Sequence, residues 1–172
     1  MLELILGGIL FACCAYTGIG IRSYYRKRKE IYEQYAGYLD YLQEDIGFLK
    51  TPLVESTREY CRGKKGEFIK ILSRYCTMLE EGKTGRAEFD ELFASPYVEK
   101  RQRKEIASVF YGLGKVDADT QTENLRKARA AVETPLNFYK KKYETTGTLA
   151  FKLGVVLDIA AMILPAYEGK WR

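Results

Sequence analysis

The residue groups that could do chemistry are few, and their neighbours argue against most of them. Glu81-Gly82-Lys83-Thr84 ends as a phosphate-binding loop ends. Such a loop also needs a glycine five positions before its last one, after a strand. That position is Thr77, and the residues before it carry a helical pattern. Gly112-x-Gly114 has neither a preceding strand nor a third glycine, so it does not read as a dinucleotide turn. Glu80 and Glu81 are adjacent, which puts them on different sides of a helix. Asp117 and Asp119 are better helix caps than an acid pair. There is no histidine, which removes the commonest general base, a common zinc ligand and the usual triad. Cys13, Cys14, Cys61 and Cys76 contain no CxxC pair, so neither a metal site nor a disulfide framework is expected. Unpaired cysteines fit a reducing compartment, with Cys61 and Cys76 as small core residues. The expectation is a chain with no catalytic, cofactor or metal site, and not an enzyme.

The elements around these positions point elsewhere. Residues 1–21 hold one charge, Glu3, in an otherwise apolar run. Arg22, Arg26, Lys27, Arg28 and Lys29 follow it. About 20 apolar residues suffice for a helix to cross a bilayer, and flanking cations stay in the cytoplasm. Residues 1–21 therefore read as a transmembrane helix with the chain after Ile21 cytoplasmic. A cleaved signal peptide begins with positive charge, and this segment begins with Glu3. Leu10-Phe11-Ala12-Cys13 only loosely matches a lipid-attachment box, because Phe11 is large for it. Residues 148–165 form a second apolar run, interrupted by Lys152 and Asp158. It reads as a second span or as a buried or interfacial helix, with Asp158 needing a partner inside a bundle. Residues 166–172 are a tail. The net charge of +5 is matched by the cluster after the first run, which favours an anionic membrane surface over nucleic acid.

Between the apolar ends, residues 22–147 read as an all-α helical bundle. Ile31, Tyr35, Tyr38, Leu42, Ile46 and Leu49 recur every three or four residues, which marks an amphipathic helix continuing from the first run. Thr51-Pro52, Ser95-Pro96 and Thr134-Pro135 each look like an N-cap followed by proline at the first helical position. The third either starts a helix or kinks a long one. The helix after Thr51 is expected to bury Leu53, Val54, Thr57 and Cys61. The next carries Phe68, Ile69, Leu72, Tyr75, Cys76 and Leu79, and a short one Phe89, Leu92 and Phe93. Ile106, Val109, Phe110 and Leu113 form a further face, closed by Gly112 and Gly114. Leu125, Ala128 and Val132 lie on the last helix, continued by Leu136, Tyr139 and Tyr143. No alternating β-branched run predicts a strand. Of 14 tyrosines, Tyr24, Tyr25, Tyr32, Tyr41, Tyr97 and Tyr111 are expected to be partly exposed, as protein contacts or as plain surface.

Three segments together resemble the stage III sporulation protein AB family of endospore-forming bacteria. They are Glu44-Asp45-Ile46 with Thr51-Pro52-Leu53 and Glu55; Leu113-Gly114, Asp117 and Gln121 in an LGxxDxxxQ pattern; and Leu153-Gly154-Val155. Asp158, where the family tends to be apolar, and Pro135, inside one long family helix, depart from the pattern. The resemblance implies a component of an assembly between mother cell and forespore that is similar to a secretion apparatus. It implies a role like that of the inner-membrane platform protein of type II secretion and type IV pilus systems. The partners implied are a cytoplasmic ATPase and other membrane subunits, and a homo-oligomer is possible. The location implied is the mother-cell membrane around the forespore, with the central domain facing the cytoplasm. The family supplies no catalytic residue to transfer. An anionic-lipid-binding or scaffold module at the membrane surface is the alternative.

Overall fold

The computed structural model describes residues 2–46, 51–149, 152 and 156, with the backbone alone for 2–12, 14, 15 and 147. The described residues are all-helical. The helices are α1 (Leu2–Glu44), α2 (Leu53–Cys61), α3 (Glu67–Glu80), α4 (Arg86–Leu92), α5 (Lys100–Gly112) and α6 (Ala118–Lys142), followed by a π-helical turn, Tyr143–Gly147. The chain divides into two units, residues 27–137 and residues 1–26 with 138–172. α1 runs unbroken through the junction of the apolar and basic segments, as the hydrophobic spacing predicts.

In the unit of residues 27–137 the core is aromatic. α1 contributes Ile31, Tyr32, Tyr35, Tyr38, Leu39 and Leu42, all essentially buried. Phe110 of α5 is the hub: its ring centroid lies 4.7 Å from Phe93, 5.0 Å from Tyr75 and 5.6 Å from Tyr38. Such ring pairs add to the hydrophobic gain from burying their area. Tyr38 is buried with its hydroxyl 2.7 Å from Thr57 Oγ1. Thr57 spends its one proton on the Leu53 carbonyl at 2.6 Å, so Tyr38 is the donor of the pair. Burial raises the Tyr35, Tyr38 and Tyr75 phenols well above their ordinary range, because the phenolate would lose its hydration. α2 packs on α3, α3 on α4 and α4 on α5. Arg129 of α6 reaches α1, its Nε 2.8 and 3.0 Å from the two Asp40 carboxylate oxygens.

Several local expectations are corrected. Thr51 does not cap α2: that helix starts at Leu53 with no side-chain cap, and Thr51 Oγ1 donates instead to buried Asp45 at 3.0 Å. Ser95-Pro96 starts no helix either. Ser95 Oγ accepts from the Tyr97 amide at 3.3 Å, and Arg103 donates to the Ser95 and Val98 carbonyls at 2.5 and 2.8 Å. That closes a turn, and α5 begins only at Lys100. α6 passes through Pro135 as one helix, so Thr134 caps nothing. α2 buries Ser56, Thr57 and Tyr60, leaving Leu53, Val54 and Cys61 half-buried. Leu79 and Val109 are also half-buried. Tyr32, expected to be partly exposed, is buried with its hydroxyl on Gln102 Oε1.

Among the described residues no helix is long and apolar enough to cross a membrane. Most side chains of 1–21, most of 148–165, the tail 166–172, Asp158, Leu49 and Leu153-Gly154-Val155 lie outside the described residues.

Candidate functional site

The LGxxDxxxQ residues come together as the junction between α5 and α6. Leu113 is buried and ends α5. Gly114 follows at φ 74°, a left-handed conformation that costs an L side chain about 1–2 kcal/mol. Asp117 caps α6: the Thr120 amide donates to its Oδ1 at 3.0 Å, which holds the carboxyl below its usual range. Buried Gln121 turns back from the first turns of α6 and accepts from the Gly114 amide at 2.9 Å. Side chain and backbone therefore lock the turn from both ends. The sequence reading of glycine at the helix end and aspartate at the next start matches this geometry.

The junction closes one end of a groove of about 710 Å³ between α5 and α6. Its floor is apolar, with Val109, Leu113, Leu125, Ala128 and Ala131. The alanines leave it open where larger side chains would fill it. The rim carries Arg86, Lys104, Glu105 and Lys127. Glu105 pairs with Arg101 at 3.1 Å and Lys127 with Glu123 at 3.5 Å, whereas Arg86 and Lys104 make no ion pair among the described residues. Such a surface suits an apolar side chain flanked by acidic ones. Gln102 and Arg86 were not singled out from the sequence, because their surroundings are set by residues distant in the chain.

The basic run splits by environment. Lys27 Nζ lies 3.0 Å from the Tyr97 hydroxyl and 4.9 Å from its ring centroid. Arg28 is 3.4 Å from Glu99, and Lys29 is 3.5 Å from Glu33. Arg22 and Arg26 instead line a cleft with Ile19, Ser23 and Tyr143, within the other unit. Thr51, Pro52 and Leu53 are remote in role from both features: Thr51 holds Asp45, and the Pro52 carbonyl accepts the Ser56 amide at 3.0 Å.

The Gly82-Lys83-Thr84 triplet is the turn that ends α3. Gly82 sits at φ 71° and Lys83 pairs with Glu81 at 2.6 Å, so the strand-to-helix loop of a phosphate site is not formed. Among the described residues no three His, Cys, Asp or Glu side chains gather as a metal site.

The family model for stage III sporulation protein AB matches residues 3–164. The chain belongs to that family. No curated protein and no solved structure matches it. As a member of the stage III sporulation protein AB family, the chain is a sporulation-related, all-helical protein. The LGxxDxxxQ junction lies inside the matched region.

Proposed function

We propose that this sporulation protein is a membrane platform without catalysis of its own, coupling a cytoplasmic ATPase to other membrane subunits of a secretion-like assembly. The observation that carries the reading is α1. One helix of 43 residues bears the apolar segment, the basic run and the aromatic stripe of the core without interruption. An element of that kind suits a protein that ties a cytoplasmic domain to a bilayer. In this reading residues 1–21 span the mother-cell membrane around the forespore, 148–165 span or line it, and Asp158 finds its partner there. The α5–α6 groove is the partner surface, and its apolar floor and basic rim suit an ATPase helix with acidic residues beside apolar ones.

Reporter fusions after Arg28, after Asp119 and at the C-terminus test the membrane half. A cytoplasmic middle is required, and an external middle refutes the coupling role. Copurification of the ATPase with the full-length protein tests the other half. The K104E/A128E variant is expected to lower recovery of the ATPase at least tenfold while the chain stays in the membrane fraction. Unchanged recovery removes the groove from the proposal.

A further inference from the structure

We propose that the cleft formed by Ile19, Arg22, Ser23, Arg26 and Tyr143 binds the phosphate of an anionic phospholipid headgroup. The inference rests on the reading that the apolar start of α1 lies in the bilayer. Arg22 and Arg26 are four residues apart, so one face of α1 carries both guanidinium groups, and Ser23 lines the same cleft. The π-helical turn sets Tyr143 against that face, its ring centroid 5.8 Å from the Arg22 guanidinium carbon. This contact holds the arginine over the ring rather than letting it sweep through water. The cleft encloses about 340 Å³, room for a phosphoglycerol group with its waters. A guanidinium presents paired N–H donors that match two oxygens of one phosphate, and two of them with a hydroxyl make a phosphate cradle.

Local charge favours an anion. Among the described side chains of this unit, Arg22, Arg26, Lys140, Lys141, Lys142 and Lys152 stand against a single carboxylate, Glu144, which is exposed. Arg22 and Arg26 line the cleft, whereas Lys27, Arg28 and Lys29 face Tyr97, Glu99 and Glu33. The same stripe of α1 explains why the phosphate belongs to a lipid. Tyr16, Ile19, Ser23 and Arg26 follow at intervals of three and four, so apolar and cationic residues succeed one another along one face. Tyr16 is 82% and Ile19 58% exposed. A free phosphate has no use for that apolar run, but an acyl chain lies along it while the headgroup reaches the arginines. Basic pockets at the cytoplasmic ends of membrane helices hold anionic headgroups in this way.

The test uses the full-length protein in neutral detergent, with lipid adducts counted by native mass spectrometry. Short-chain phosphatidylglycerol, phosphatidylcholine of the same chains, and inorganic phosphate are the probes. Phosphatidylglycerol is expected to occupy one site at least tenfold more tightly than phosphatidylcholine. The R22Q/R26Q variant should lose that preference, and K140Q/K141Q, which removes charge outside the cleft, should keep it within threefold. Equal losses in both variants mean diffuse attraction and overturn the site. Inorganic phosphate displacing phosphatidylglycerol at equal concentration overturns the lipid as its source. If the glutamine pair does not fold, R22K/R26K decides: charge is kept but the paired donors are lost, so a threefold or larger weakening supports the cradle and unchanged binding overturns it. Carbonate extraction of cell membranes reports separately on the span. A chain that extracts yet binds phosphatidylglycerol through Arg22 and Arg26 refutes the membrane reading and leaves the site standing.

Discussion

The Tyr38–Thr57 hydrogen bond allows a prediction with a sign for each of three variants. Both groups are fully buried, and the proton is assigned, because Thr57 donates to the Leu53 carbonyl. Tyr38→Phe keeps the ring contacts to Tyr60 at 5.1 Å and Phe110 at 5.6 Å and removes only the donor. Thr57 still satisfies its own proton, so the cost is that of one net hydrogen bond, about 1 kcal/mol. Thr57→Val is worse. It leaves the Tyr38 O–H buried with no acceptor, a penalty of about 2 kcal/mol. The double variant removes both halves and strands nothing, so it should cost about 1.5 kcal/mol rather than the sum of about 3 kcal/mol. Urea unfolding of the full-length protein in detergent, followed by aromatic circular dichroism, measures all three. If the double variant costs the sum of the singles to within about 0.5 kcal/mol, the pair is not coupled and the donor assignment fails.

Three further outcomes are expected. Stability should fall as pH rises through about 10, the ordinary phenol pKa. Burial raises Tyr35, Tyr38 and Tyr75, so above that pH the unfolded chain has lost phenol protons that the folded chain keeps. A melting temperature unchanged between pH 8 and 11 contradicts this. Gly66→Ala should destabilise by about 2 kcal/mol and Gly63→Ala by about 1 kcal/mol: both have positive φ, but a Cβ at Gly66 also runs into the Gln34 amide that donates to the Lys65 carbonyl at 2.9 Å. Equal melting points for the two variants go against it. Cys76 should react with a thiol reagent more slowly than half-buried Cys61, since Cys76 is buried and its thiol is pushed up to about 11; equal labelling rates refute that.

The helices and their apolar faces were legible because a helix repeats its contacts every three to four residues, and that repeat is local. Tyr35, Tyr38, Phe68, Leu72, Phe89 and Phe110 all announced burial in this way. Asp117 was legible for the same reason, since a cap reaches only three residues ahead. Thr51-Pro52 and Ser95-Pro96 were not. A hydroxyl before a proline suits a helix start and a tight turn equally, and Asp45 and Arg103 decide which forms.

Tertiary structure alone also sorted the basic run. Arg22 and the four consecutive cations 26–29 are equivalent in the sequence. Tyr97 and Glu99, some 70 residues away, engage Lys27 and Arg28, while Tyr143 joins Arg22 and Arg26 in a cleft. Tyr32 was misread as partly exposed for the same reason, because its hydroxyl partner is Gln102 on another helix. The sequence by itself determined the helical class, most of the buried stripes of α1, α3, α4 and α5, and an aspartate cap at 117 or 119, all of which depend on neighbours within a turn or two. Which side chains meet each cation and where a groove opens depend on residues brought together across the fold, and a burial pattern along one helix carries no record of them.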